Sequence, residues 1–247
     1  MTRSVSITLP RWRGVLAALA LGTLAACGGG KPGQDQDAGA AAAAMAAATL
    51  NRGNGPEPDS LDPQRARTEA AFNILRDLFE GLTAVGPDGE AVPAAAESWT
   101  VSPDGLEYTF HLREGLRWSN GDPVTAGDFV AGMRRLVDPA TASPYAQVLE
   151  PVVNAAAITR GEQTAEAPGV TATDERTLLV RVSNPTPYLL GLLAHPSTSP
   201  AHAASLAGHG ADFAKPGRMI SNGAFVLEDW VVGSHLSVRR NRSYWND

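Results

Sequence analysis

The chain has 247 residues, of which 43% are hydrophobic, and carries a formal net charge of −6 at pH 7. This length allows one or two domains, and the hydrophobic fraction is high enough for a packed core. The negative charge argues against nucleic acid as a partner and leaves no basic patch for an anionic lipid surface.

The first 27 residues are organised as a targeting segment. Three arginines precede an apolar run over residues 15–23, which is too short to span a bilayer permanently. The sequence Leu24-Ala-Ala-Cys27 then resembles a lipobox and predicts lipidation of Cys27, the only cysteine of the chain. A lipoprotein carries more than one acyl chain, which is enough for stable membrane anchoring. The alternative is a plain secretory signal with an incidental cysteine.

A low-complexity stretch follows the cysteine over residues 28–48. It is rich in glycine and alanine and lacks an apolar face that would pack against a core. We interpret it as a tether, which spans about 70 Å when fully extended. Folded structure is expected from about Thr49, with a short strand over residues 49–52.

An amphipathic helix is predicted from Glu69 onward. Apolar residues recur at three- and four-residue spacing, and Gly81 is a plausible end of the helix. A turn is predicted before it at Ser60-Leu-Asp-Pro63, and another after it at Val85-Gly-Pro-Asp-Gly89. The apolar positions of the helix are Phe72, Leu75, Phe79 and Leu82.

The stretch over residues 107–139 contains the clearest local signals. Residues 107–113 alternate, with Tyr108, Phe110 and Leu112 on one side, which predicts a strand with one buried face. Thr125 and Asp128 then have the spacing of a capping box, with aspartate in the place of the usual glutamate or glutamine. A helix is expected to follow and to end before Pro139.

The last hundred residues predict two pairs of strands with a helix between them. Strands are expected over residues 170–173 and 177–182, joined by a short turn. Thr186 as N-cap and Pro187 at the first helical position predict a helix over residues 188–194. A final hairpin is predicted from residues 225–227 and 236–240, with Asp229-Trp230 between its strands.

No arrangement of residues points to catalysis, a cofactor or a metal. The chain lacks a Gly-x-Ser-x-Gly motif, a phosphate-binding loop and a His-Glu-x-x-His motif, so an enzyme is not expected. The five histidines have no cysteine or carboxylate at ligand spacing, which favours solvated surface histidines. His195 precedes a proline and is expected to serve a turn.

An ordered set of motifs resembles the oligopeptide-binding group of the extracellular solute-binding proteins of ABC importers, family 5. The strand and capped helix over residues 107–139 belong to this set, and the others occur in the order of the family. The flanking motifs are Ser60-Leu-Asp-Pro63, Arg76-Asp-Leu-Phe-Glu-Gly-Leu82, Ala96-Glu-Ser-Trp99, Thr141-Ala-Ser-Pro-Tyr145, His195-Pro-Ser-Thr-Ser-Pro200, Asn222-Gly-Ala-Phe225 and Asp229-Trp-Val-Val232.

The resemblance implies an incomplete α/β fold of the periplasmic-binding-protein type, class II or cluster C. Family members run on for about as far again, so the chain resembles an N-terminal half. Residues 49–80 and 205–247 are expected to form part of the first lobe. Residues 81–204 are expected to form the inserted subdomain of the family, and the lobe that closes over the ligand is missing.

The resemblance also implies a binding site for oligopeptides. In the family an edge strand follows the Ser-Leu-Asp-Pro turn and pairs with the ligand backbone by β-augmentation. Here that position is Arg67, Thr68 and Glu69, and Tyr145 matches a tyrosine near the peptide. A cation at Arg67 disfavours lysine or arginine in the first ligand positions; alternatively, Arg67 points into solvent and Tyr145 is a structural residue.

The expected function is therefore a receptor that is lipid-anchored in the periplasm or cell envelope and delivers oligopeptides to an ABC permease. Three alternatives stay open. The solute is a murein peptide, a nickel chelate or a sugar; the chain is a truncated fragment without a transport role; or it is a scaffold or signalling lipoprotein.

Overall fold

The computed structural model describes residues 48–166 and 168–246. The predicted targeting segment, Cys27 and all but the last residue of the predicted tether lie outside the described residues. Residues 49–52 are all exposed and belong to no strand. The short strand expected there is therefore wrong, because these residues have no buried face to hold them in a sheet. Residues 53–247 form a unit of their own.

A four-stranded antiparallel sheet forms the centre of this unit. In the order in which they pair, its strands are β3 (Ala96–Val101), β4 (Glu107–Leu112), β6 (Thr177–Arg181) and β5 (Val170–Ala172). Strand β4 lies between β3 and β6, with Phe110 opposite Trp99 on one side and Leu178 on the other. The buried face of β4 is the predicted one, since Tyr108, Phe110 and Leu112 are buried.

Helix α2 (Ala126–Val137) packs against β5 and β6 and covers this face of the sheet. The predicted capping pair is present, because the Asp128 carboxylate accepts hydrogen bonds from the Thr125 N–H (2.7 Å) and hydroxyl (3.1 Å). Gly132 lies so close to the Ser199 carbonyl that a Cβ atom would not fit. The helix ends at Asp138, before the proline, as predicted.

Helix α1 (Glu69–Leu78) carries the predicted apolar face but ends before Gly81. Its last turn is completed by a distant segment of the chain. The Asn222 side chain accepts a hydrogen bond from the Glu80 N–H (3.1 Å) and donates one to the Glu80 carbonyl (2.9 Å). The Gly223 N–H bonds to the Leu78 carbonyl at 2.8 Å. The helix end is thus set by residues that local sequence patterns do not reveal.

Short elements connect these parts. A hairpin follows α1 at the predicted turn, formed by β1 (Thr83–Val85) and β2 (Ala91–Pro93). The helix predicted from Thr186 starts later, because the Thr186 hydroxyl donates back to the Asn184 carbonyl (2.7 Å) instead of capping. The short helices are α3 (Ala155–Thr159), α4 (Leu189–Leu192) and α5 (Ala203–His209).

The chain closes with the predicted hairpin, β7 (Phe225–Val231) and β8 (His235–Arg240). Its first strand is longer than expected, and Asp229 and Trp230 lie inside it rather than between the strands. In residues 48–166 and 168–246 no helix is both long and apolar enough to cross a membrane. The division of residues 49–80 and 205–247 from residues 81–204 stays a prediction.

Candidate functional site

The segment that leads into α1 contains three of the four residues predicted to bind ligand. Arg67 and Glu69 are exposed and Thr68 is half-buried. The edge strand expected there is not observed. Thr68 is extended (φ −102°, ψ 149°) but is the N-cap of α1, its Oγ accepts the Ala71 N–H (3.3 Å), and Glu69 is already helical. A threonine cap ends the extended stretch because it commits the next residues to the helix.

The backbone donors of this segment are occupied by a side chain. The Asp59 carboxylate accepts hydrogen bonds from the N–H groups of Arg67 (3.0 Å) and Thr68 (3.2 Å), and from the Thr68 hydroxyl (2.8 Å). Partial burial opposes ionisation of Asp59, yet these hydrogen bonds outweigh it and hold its pKa below the ordinary 3.8. Asp59 therefore shapes the segment, a role that its sequence context did not signal.

Tyr145, the fourth predicted residue, lies against the same segment. Its hydroxyl donates a hydrogen bond to the Arg67 carbonyl at 3.2 Å. Its ring stacks on His195 (4.7 Å between centroids) and meets Phe72 edge-on (5.1 Å). The structure thus brings Arg67 and Tyr145 together and adds two rings that sequence reasoning did not assign to the site. We call Phe72, Tyr145 and His195 the aromatic wall.

His195 serves the turn, as predicted, because its Nδ1 atom accepts a hydrogen bond from the Ser197 N–H (3.2 Å). The expectation that it is a solvated surface histidine is wrong, since the ring is packed between Tyr145 and Phe72. Burial lowers the pKa of His195, and the nearby Arg76 guanidinium lowers it further, against a smaller opposing effect of Glu69. The wall therefore carries a neutral imidazole near pH 7.

Beneath the segment lies a buried polar network. The Arg135 guanidinium of α2 donates to both carboxylate oxygens of Asp62, each at 2.6 Å, and to the Gln64 side-chain oxygen at 2.7 Å. The Gln64 amide then donates to the carbonyls of Ser197 (3.2 Å) and Ser199 (3.1 Å). This network ties the turn that precedes Arg67 to the segment that follows His195.

Among residues 48–166 and 168–246, no group of three or more histidine, cysteine, aspartate or glutamate side chains is placed to hold a metal ion. His202 is also not a solvated histidine. Its Nδ1 accepts the Ser205 N–H (3.1 Å) at the start of α5, so its Nε2 at 3.0 Å from Asp122 is the donor. His111, His209 and His235 are exposed, as expected.

A depression of about 390 Å³ lies on the central sheet, and the charged side chains there form ion pairs. The Arg176 guanidinium bonds to the Leu112 carbonyl and to the carboxylates of Glu97 and Glu114. The Arg176 guanidinium is therefore already paired, and the depression is a weaker candidate for a ligand site than residues 67–69, which we call the Arg67 segment. The depression is lined by Glu97, Ser98, His111, Leu112, Asp174, Arg176 and Thr177.

Comparison with known proteins identifies close relatives. The chain is 42% identical over 236 residues to the periplasmic oligopeptide-binding protein OppA of Escherichia coli (strain K12), covering 95% of this chain and 42% of the relative. It is 45% identical over 193 residues to an E. coli K12 protein described as "Probable deoxycholate-binding periplasmic protein YgiS", covering 77% of this chain and 36% of the relative.

A solved structure shares the fold. The crystal structure of Haemophilus influenzae OppA in complex with RPPGFSPFR matches with a TM-score of 0.76 and 42% identity, covering 78% of this chain and 38% of that one. The predicted α/β, periplasmic-binding-protein-like fold is therefore confirmed, as a partial domain. The chain spans less than half the length of these relatives, which are solute-binding proteins rather than enzymes.

The family assignment rests on the larger part of the chain. Residues 90–247 match the model of the bacterial extracellular solute-binding proteins, family 5 Middle. This range contains the central sheet, Tyr145 and His195 of the aromatic wall, and the terminal hairpin. The chain belongs to the bacterial extracellular solute-binding proteins, family 5.

Proposed function

We propose that the chain is part of a receptor that captures oligopeptides and delivers them to an ABC permease. The observation that carries this proposal is the 42% identity to OppA over 95% of the chain. The Arg67 segment, which consists of residues 67–69, supports it, because these residues lie beside the half-buried rings of Tyr145 and His195, against which the buried Phe72 packs. This aromatic wall accepts varied side chains, with the tyrosine hydroxyl and water satisfying their polar groups.

A guest peptide would use the backbone groups that remain open in this segment. The Arg67 carbonyl accepts one hydrogen bond from Tyr145 and has a second lone pair. The Glu69 N–H belongs to the first residue of α1 and has no partner within the helix. The N–H groups of Arg67 and Thr68 become available only if the Asp59 carboxylate is displaced. Pairing of the β-augmentation type is therefore proposed at the Arg67 carbonyl and the Glu69 amide.

The charge of Arg67 is proposed to set a preference among peptides. Its side chain is exposed beside the proposed path of the guest. A cation there repels lysine and arginine side chains and attracts acidic ones. The Glu69 carboxylate does not cancel this charge, because it pairs with Arg76 at 2.8 Å.

Isothermal titration with short peptides tests the proposal. The protein is titrated with an acidic tripeptide and with its lysine counterpart, up to about 1 mM, the range of weak complexes. The acidic peptide is expected to bind more tightly, and Arg67→Glu is expected to reverse the order, with Arg65→Glu as the control at a neighbouring exposed arginine. Absence of binding by every peptide would count against the proposal.

The location is proposed to be the periplasm or cell envelope, with a lipid anchor on Cys27. The support is the lipobox-like sequence together with relatives that are periplasmic binding proteins. Metabolic labelling with a radioactive fatty acid tests the anchor. Label is expected in the protein and absent from Cys27→Ala, and equal labelling of both would rule the anchor out.

Deoxycholate is a second candidate ligand, favoured by the 45% identity to the protein described as deoxycholate-binding. A bile salt has an apolar ring system that suits the aromatic wall and a carboxylate that suits Arg67. A competition titration decides between the two ligands. If deoxycholate displaces a bound peptide, the two share a site. If deoxycholate binds and no peptide does, deoxycholate is the preferred ligand.

A further inference from the structure

Asp62 and Arg135 form an ion pair next to the turn that leads to Arg67. Asp62 is almost fully buried and Arg135 is largely buried, with 4% and 17% of their side chains exposed. Removing two charges from water costs several kcal/mol per ion, so a buried pair adds little net stability compared with apolar residues of the same volume. A contribution to the geometry of the fold is the better account of its presence.

One side of the pair builds the turn that leads to Arg67. The Asp62 carboxylate accepts the Gln64 N–H at 3.1 Å. The Asp62 carbonyl accepts the N–H groups of Arg65 (3.0 Å) and Ala66 (2.9 Å). Because both acceptors belong to one residue, the position of Asp62 restricts the backbone up to Ala66, the residue before Arg67.

The other side of the pair reaches the aromatic wall. Arg135 holds the Gln64 side chain, and Gln64 holds the carbonyls of Ser197 and Ser199. That segment begins at His195, whose ring stacks on Tyr145. The Tyr145 hydroxyl returns to the Arg67 carbonyl, so the contacts form a closed cycle around the site.

We propose that Arg135 is a positioning residue of the Arg67 site, acting through Asp62 and Gln64 to keep the Arg67 carbonyl against Tyr145. Its effect on ligand affinity rests on the proposed function, whereas its effect on the geometry of the site does not. Without the Arg135 side chain, the turn and the aromatic wall move independently. The backbone groups and the aromatic rings then no longer have one fixed arrangement relative to the ligand.

The closed cycle of contacts requires arginine at position 135. Its planar guanidinium binds both oxygens of Asp62 and still donates to Gln64, whereas a lysine ammonium on a flexible stem does not reproduce this planar fork. The Phe213 ring lies 5.3 Å from the guanidinium carbon and restricts its position further. We therefore expect Arg135→Lys to preserve the charge but loosen the geometry.

The main test is the double variant Asp62→Asn with Arg135→Met, which removes both charges and leaves no unpaired ion in the core. The introduced asparagine keeps an oxygen for the Gln64 N–H, and the introduced methionine fills the volume of the arginine stem. Arg134→Met is the matched control, because Arg134 precedes Arg135 in the same helix and takes no part in the cycle of contacts.

Two measurements are made on each protein. The first is NMR of the tyrosine and histidine rings, with Tyr145 and His195 assigned from Tyr145→Phe and His195→Gln. The second is titration with the tripeptide that the unmodified protein binds best. In the double variant we expect the Tyr145 and His195 signals to move toward those of exposed rings, and peptide affinity to fall about tenfold or more, equivalent to about 1.4 kcal/mol. Arg134→Met is expected to change neither.

Unchanged ring signals in a folded double variant would overturn the proposal. If circular dichroism shows that the double variant is unfolded, Arg135→Lys decides by the same signals: displaced rings support the positioning role and native rings refute it. If the unmodified protein binds no peptide but the double variant shifts the rings, the positioning role stands and the proposed function fails.

Discussion

The central sheet and the terminal hairpin are both antiparallel, but they differ in how many of their apolar side chains are buried. On the sheet, every second side chain of β4 is buried, as are Leu178 and Val180 of β6. On the hairpin, Val226 and Leu227 of β7 are buried, but Phe225 and Val231 are exposed, and Leu236 and Val238 of β8 are only partly buried. Apolar burial therefore stabilises the sheet more than the hairpin, which is also held by other contacts.

Those contacts are individual hydrogen bonds from the segments around the hairpin. The Glu57 carboxylate accepts from the Trp230 ring N–H (2.6 Å) and the Gly233 N–H (2.9 Å). Beyond the hairpin, Tyr244 and Trp245 each donate to the Glu80 carboxylate at 2.7 Å. We therefore expect the loss of a single polar contact to affect the hairpin more than the sheet.

The largest expected effect is on the sheet, from Phe129→Ala in α2. Phe129 is fully buried against the sheet, and a phenylalanine-to-alanine change in a core costs about 3–5 kcal/mol. Urea unfolding measures the change. Val101→Ala, at an exposed position of β3, is the control; a similar loss in both variants would mean that burial does not distinguish the two positions.

The next effect is on the attachment of the hairpin, from Asn222→Ala. This change removes both hydrogen bonds to the Glu80 backbone, where an unsatisfied buried group costs about 1–3 kcal/mol. We expect a loss of about 2 kcal/mol in urea unfolding, with earlier hydrogen exchange in β7 and β8 than in β4. Ser234→Ala at the exposed hairpin tip is the control, and equal exchange in all three strands would contradict the separate attachment of the hairpin.

The smallest expected effect is on the pH dependence of stability, to which Glu80 and Glu57 contribute with opposite sign. Burial raises the pKa of Glu80 above its ordinary 4.5, against the lowering effects of Tyr244, Trp245 and Arg113. The folded protein then binds the Glu80 proton more tightly than the unfolded chain, so this contribution to stability falls as pH rises from 4.5 through the raised pKa.

Glu57 has the opposite behaviour. The hydrogen bonds from Trp230 and Gly233 lower its pKa, so its contribution is present above 4.5 and is lost as pH falls through the lowered pKa. Urea unfolding of Glu80→Gln and Glu57→Gln across pH 3–7 is expected to give difference curves of opposite slope. Parallel curves would show that the two carboxylates have similar surroundings.

The sequence predicted strands β4, β5 and β6 and helix α2 because their signals are local, but it did not predict β3 or the pairing of β4 with β6. Alternation in β4, the Thr125–Asp128 pair and the proline after Asp138 all act within a few residues of the element they define. The end of α1 was not predictable in this way, since Asn222 and Gly223 cap it from more than 140 positions away. The late start of α4 reflects a backward hydrogen bond of Thr186 that competes with capping.

The candidate site was predictable only in part. The resemblance pointed to Arg67, Thr68, Glu69 and Tyr145, and the structure places all four at one locus. It did not reveal that Asp59 holds the amides of Arg67 and Thr68, or that His195 stacks on Tyr145. A carboxylate in a polar loop and a histidine before a proline have no periodicity or motif that would show what they contact.

The closed cycle of contacts around Arg135 has a consequence for the order in which parts of the site form. Gln64 and Ser199, which it joins, are separated by 135 positions. As the chain is made and exported, the Arg67 segment emerges long before the segment that completes its surroundings, since chains emerge from the N-terminus onward. A nascent chain that stalls before Ser199 would display the Arg67 segment without its support, and contacts of such long range form slowly.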